Sequence, residues 1–175
     1  MEHTSENRPD KVKIQVQMKT EYMFDFLYWH SYHGMMGIFN YGFSFAAVVA
    51  LLLGFGKNNM TATYALVLLA LMFTVINPLL LLQKAAKQVK RAPMFHKPIQ
   101  YVFDEKGFTV IQDKESAKAE WVEVMLVRET KKTLAIYLGA SNAVVLPKAE
   151  CTEAIADIKS LLVAARPDFE SRLKK

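Results

Sequence analysis

The chain has 175 residues, is 52% hydrophobic and carries a formal net charge of +5, with a single cysteine, Cys151. One cysteine excludes an internal disulfide and any Cys-rich zinc framework. The positive excess is not spread over a folded face, as a nucleic-acid reader requires: residues 84–97 hold Lys84, Lys87, Lys90, Arg91 and Lys97 with no acid, whereas residues 98–175 hold twelve charges of each sign.

Residues 1–20 form a polar tail with one patterned stretch. Val12, Ile14, Val16 and Met18 alternate with Lys11, Lys13, Gln15, Gln17 and Lys19, the period of a half-buried strand. A lone strand is not stable in water, so this one is expected to join a sheet formed later in the chain. Residues 21–34 then read as the start of an interfacial helix, crowded with rings at Tyr28, Trp29 and Tyr32. His30 and His33 share a helical face and could begin a metal or haem site. A protein metal site needs further ligands; His96 lies well beyond and Cys151 further still. An aromatic belt at a membrane surface accounts for the same residues without a metal, and neither cofactor nor metal is expected.

From Phe26 through Gln83 there is no acid and one charge, Lys57. Within this stretch lie two uncharged runs, 35–56 and 62–83, together the 35–83 unit, joined by Lys57-Asn58-Asn59-Met60-Thr61. At a rise of about 1.5 Å per residue, each run can cross a hydrocarbon core of about 30 Å. The basic residues just past the second run place that end in the cytoplasm. Two spans then place the N-terminus there too. The expectation is a transmembrane helical hairpin with both tails cytoplasmic. Gly42, Ala46, Ala50 and Gly54 recur every four residues on the first span, a stripe that admits a close helix neighbour, either within the hairpin or on another chain. On the second span, Pro78 lacks an N–H and predicts a kink, and the adjacent Asn77 needs a polar partner at membrane depth.

Residues 84–98 form a basic linker in which Lys84, Lys87, Lys90 and Arg91 cluster on a helix extending from the second span; such residues attract anionic headgroups. Residues 99–175 form the last unit. Ile99, Tyr101 and Phe103, a turn at Asp104–Gly107, then Phe108 and Val110 predict a hairpin. Asp113–Lys118 reads as a polar connection. Strands are predicted over Trp121–Val127, Thr133–Leu138 and Ala143–Leu146, with a turn at Gly139–Asn142. The period then changes: Ile155, Ile158, Leu161, Leu162 and Ala165 share one helical face, with Thr152 as N-cap and Pro167 as terminator. The fold class is therefore an α+β membrane protein. Its two-helix transmembrane hairpin is followed by a bent antiparallel sheet closed by a C-terminal amphipathic helix. The acids of this unit alternate with lysines and read as a solvated surface.

Several ordered fragments, Trp121-Val122-Glu123-Val124, Arg128-Glu129-Thr130, Tyr137-Leu138 and Leu146-Pro147-Lys148, together with the aromatic stretch near residues 22–33, resemble the YcxB-like family of small bacterial membrane proteins. The resemblance implies a pleckstrin-homology-like C-terminal domain and a bacterial cytoplasmic (inner) membrane location, and it transfers no catalytic residue. No Gly-rich phosphate loop and no G-x-S-x-G turn occurs. The expected function is a non-enzymatic, membrane-anchored module that binds a protein segment or lipid headgroup. The alternative is an immunity or accessory membrane protein acting through its transmembrane helix interface. The expected partners are the bilayer, anionic headgroups, and a protein partner or a second copy of the chain, with no nucleic acid.

Overall fold

The computed structural model describes residues 11–33, 35–54, 56–139 and 142–173, with the Met36 side chain excepted. The first ten residues of the tail, Phe55 of the first apolar run and Ala140–Ser141 of the predicted turn lie outside the described residues.

Strand β1 (Lys11–Val16) buries every second residue, Val12, Ile14 and Val16. It pairs antiparallel with β2 (Ile99–Asp104), with Val12 opposite Phe103, Ile14 opposite Tyr101 and Val16 opposite Ile99. Strands β3 (Gly107–Gln112) and β4 (Glu115–Glu120) complete a four-stranded sheet in the order β1-β2-β3-β4. Asp104 makes the β2–β3 turn by accepting the backbone N–H groups of Lys106 and Gly107, both at 2.9 Å. Gly107 is required there, because a Cβ would run into the Ala119 carbonyl on β4. Strand β4 corrects the expected polar connection. It is an edge strand exposed on both faces from Glu115 to Lys118, so no apolar alternation marks it, and only Ala119 is buried.

The run Trp121–Val127 is not one strand. Trp121–Glu123 forms a 3-10 turn, held by a reciprocal capping box between Glu120 and Glu123. Buried Trp121 donates from Nε1 to the Asp104 carbonyl at 2.9 Å. The chain then enters β5 (Leu126–Glu129), which pairs with β6 (Thr133–Tyr137) and β7 (Ala143–Pro147) as a second, three-stranded antiparallel sheet. The inner faces of both sheets share one core that includes Phe103, Phe108, Trp121, Val127, Leu134, Ile136 and Leu146. Helix α5 (Ile155–Ala165) closes it with Ile158, Leu161 and Leu162; Ala165 is exposed. Thr152 is not its N-cap: the helix follows Ala154, and the Thr152 hydroxyl donates backward to the Lys148 carbonyl at 3.2 Å. Past Ala165 the chain leaves α-helical geometry for a 3-10 segment, Pro167–Arg172, that buries Phe169.

Between β1 and β2 the chain forms helices α1 (Thr20–Tyr32), α2 (Met35–Leu53), α3 (Met60–Leu71) and α4 (Asn77–Arg91). Asn59 caps α3 by accepting from the Ala62 N–H at 2.8 Å. A π-helical turn, Met72–Ile76, joins α3 to α4, so Met60–Arg91 runs as one helix, long and apolar enough to cross a membrane. Helices α1 and α2 meet at a bend of 75°, and only as a pair do they meet the same criterion. Gly37 sits where a Cβ would strike the Tyr32 carbonyl, so this close approach of the two helices requires glycine. Helix α2 packs along α3 and the π turn, burying Ser44 and Ala47.

The π turn explains how the helix carries Pro78. The Asn77 N–H bonds the Met72 carbonyl five residues back. One step further, that register directs the missing Pro78 donor at Phe73 rather than Thr74. The hydroxyl of Tyr32 donates to the Phe73 carbonyl instead, and Asn77 Nδ2 donates to that hydroxyl oxygen at 3.1 Å. The polar partner demanded by Asn77 is thus a tyrosine on α1.

Candidate functional site

Helix α1 crosses the outer face of the second sheet. Strand alternation fixes which residues meet it: Val127, Leu134 and Ile136 point into the core, so Arg128, Thr133, Ala135, Tyr137 and Val145 point outward. From α1, Phe26 lies against Tyr137 with ring centroids 5.9 Å apart, and His30 stacks on the same ring at 6.3 Å. The Arg128 guanidinium sits over Trp29, 5.3 Å from the ring centroid. His33 stacks on the other ring neighbour, Trp29, at 4.3 Å. Of the rings read as a membrane belt, Trp29 lies in this seat of α1 on the sheet, whereas Tyr28 and Tyr32 turn to Tyr41 on α2.

One carboxylate pins this seat. Asp25 Oδ2 accepts from the hydroxyls of Thr130 and Thr133, the latter at 2.8 Å. The Thr130 oxygen in turn accepts the backbone N–H groups of Lys132 and Thr133, at 3.1 and 2.8 Å. Its lone pairs are thus engaged by the β5–β6 turn and its single proton goes to Asp25. Ion pairs Lys19–Glu150 at 2.7 Å and Lys132–Glu21 at 3.8 Å flank the contact. Helix α1 also packs along α4, where Met18, Tyr22, Met23, Ala85 and Val145 form a second apolar cluster.

Glu129 corrects the reading of the C-terminal acids as solvated. Its side chain is 1% exposed and pairs with Lys159 at 2.7 Å and with Lys148, whose Nζ also donates to the Thr130 carbonyl at 2.8 Å. Arg166 was not singled out in the sequence, yet it ties three elements together. Its Nη1 donates to the Trp121 and Val124 carbonyls at 3.3 and 2.9 Å, its fork grips Asp168, and its plane covers Phe169. Burial pushes the Cys151 thiol up to about 11 and the Tyr101 hydroxyl up to about 12. Burial likewise raises Tyr137 against the opposing pull of Arg128.

Lys84, Lys87, Lys90 and Arg91 are all exposed on α4. Gly42, Ala46 and Ala50 face outward, and a Cβ on Gly42 would meet nothing within 4 Å. Ser44 and Ala47, not the stripe, are the buried α2 residues that pack in the hairpin; Gly54 sits at its tip against Asn58. His96 bonds the Lys90 carbonyl through Nε2 at 2.7 Å. Among the described residues, no group of three or more His, Cys, Asp and Glu side chains converges as metal ligands would.

The geometry defines an α+β chain whose two-sheet domain is seated, through α1, on a long apolar helix. Residues 103–162, which run from within β2 into α5, match the family described as YcxB-like protein, and over this stretch the chain is similar to that family. No curated protein and no solved structure matches the chain.

Proposed function

We propose that this protein is a non-enzymatic, membrane-anchored interaction module. Its two apolar runs cross the bacterial inner membrane as a hairpin, both tails lie in the cytoplasm, and a pleckstrin-homology-like domain stands at the headgroup surface to bind a lipid headgroup or a protein segment. The observation that carries this reading is the continuity of Met60–Arg91. An apolar helix passes directly into about two further turns with Lys84, Lys87, Lys90 and Arg91 exposed, and α1 packs against both that extension and the second sheet. The domain is thereby held at a set height above the lipid rather than swinging on a linker. Each of the four cations contributes about 1 kcal/mol near an anionic leaflet. Two measurements test the reading. Cysteines placed at Asn58 and at Glu170 should react with an impermeant maleimide from opposite sides of the membrane. Replacing the four cations with glutamine should abolish the extra hydrogen-exchange protection that α4 gains in phosphatidylglycerol nanodiscs over phosphatidylcholine ones. Labelling of both cysteines from one side would refute the hairpin.

The outward stripe favours a second reading, an accessory or immunity protein that contacts another helix within the bilayer. Gly42, Ala46 and Ala50 present a small-residue surface left open by the packing of α2 on α3. Gly42→Leu should then abolish association in the membrane while the domain stays folded.

A further inference from the structure

Two polar groups under α1 lack the partners their burial requires. Arg128 Nε and Tyr137 Oη are sealed from solvent, and neither has a hydrogen-bond partner. Tyr137 is 5% exposed overall. A buried donor without an acceptor is costly, more so on a charged group. The neighbouring acids do not answer the need. Glu129 lies on the opposite face of β5 with Lys148 and Lys159, and Asp25 is taken by Thr130 and Thr133. Among the described residues, no carboxylate lies within ion-pair distance of Arg128, whose charge rests only over the Trp29 ring. The His30 ring stacks on Tyr137 and is itself exposed. Two buried, unpartnered polar groups on one face of the second sheet, one of them cationic, suit an oxyanion.

We propose that Arg128, Tyr137 and His30 form a phosphate-binding site between α1 and the second sheet. Arg128 supplies the charge and an N–H, the Tyr137 hydroxyl donates a second hydrogen bond, and His30, stacked on the Tyr137 ring, stands at the exposed edge. The site lies toward the end of α1 that bends into α2, which is headgroup level if the membrane reading holds. Only the source of the phosphate, a lipid headgroup or a soluble phosphomonoester, rests on that reading.

The test uses full-length protein in phosphatidylcholine nanodiscs. Glycerol phosphate is titrated at constant ionic strength, and binding is read from its phosphorus NMR linewidth and from the Arg128 Nε–H resonance. A second arm replaces part of the lipid with phosphatidylglycerol and follows the same resonance. Movement with soluble glycerol phosphate identifies a free-anion site, and movement only with phosphatidylglycerol identifies a headgroup site; either sustains the proposal. Arg128→Gln should weaken binding about tenfold or more, and His30→Ala should weaken it less. Tyr137→Phe, which keeps the ring packing and so the fold, should weaken it about fivefold. No response in either arm, or undiminished binding by both Arg128→Gln and Tyr137→Phe, means that water occupies the site and overturns the proposal. Because the soluble arm needs no anionic surface, the site and the membrane reading fail separately.

Discussion

Replacing Asp25 with alanine should unseat α1 from the domain without disturbing the domain's core. The carboxylate accepts two hydroxyl protons, from Thr130 and Thr133. Hydrogen bonds to a charged group contribute about 1.5–3 kcal/mol each, and a half-exposed acceptor recovers part of that from water. The expected cost is therefore about 2–3 kcal/mol. Thr133 is 1% exposed, so its hydroxyl cannot turn to solvent when Asp25 is lost. It retains only Thr130, 3.0 Å away, whose oxygen already serves two backbone donors. A double-mutant cycle isolates the contact. Urea unfolding of Asp25→Ala, Thr133→Val and the double variant in nanodiscs should give a coupling of about 1–2 kcal/mol. Amides of α1 should exchange faster while those of β2 and β3 keep their protection. A coupling near zero, or a uniform loss of protection across both sheets, would refute the view that this carboxylate specifically docks the helix.

Tyr32→Phe strips the Phe73 carbonyl of its donor and should cost about 1 kcal/mol in a bilayer; Pro78→Ala restores a backbone donor and should shrink that penalty in the double variant. Gly107→Ala drives a methyl into the Ala119 carbonyl and should destabilise the first sheet by about 1–3 kcal/mol, read by thermal unfolding. Alkaline stability should fall from about pH 9 upward, because the Cys151 thiol and Tyr101 hydroxyl ionise more readily unfolded than folded, where they are raised to about 11 and about 12. Their neutral forms supply stability in full below the unfolded values, and it is lost as pH climbs through the folded ones. Cys151→Ser and Tyr101→Phe should flatten that decline, and at pH 8 the native thiol should resist labelling.

What could be read in the residues was whatever repeats at short range. The alternation around Val12 and Ile14 is the burial pattern of β1, and the Asp104–Gly107 turn and the apolar face of α5 are equally local signals. Strand β4 was invisible because a strand wet on both faces carries no hydrophobic period. The Trp121 turn was hidden for the opposite reason: an apolar run looks like a strand unless the Glu120–Glu123 box is noticed. The seat of α1 rests on pairs more than a hundred positions apart, such as Asp25 with Thr130, and no spacing rule connects them. Arg128 and Glu129 stood together in a recognisable fragment, but their division between the two faces of β5 appears only once its register is known. Asp25 could have been suspected as the last acid before a long uncharged stretch.

If the apolar helices cross a membrane as proposed, the placement of β1 gives the molecule a check on its own insertion. This strand is made first, and its partner β2 follows only after residues 17–98, which include every apolar helix. If those helices cross the membrane as proposed, β1 and β2 meet only when the number of crossings is even. A chain that threads once strands its first strand on the far side and leaves Ile99, Tyr101 and Phe103 with an unpaired edge beside them. The sheet thus acts as a parity bit: a correctly inserted chain closes it, and a misinserted one exposes an edge that proteases and chaperones can read.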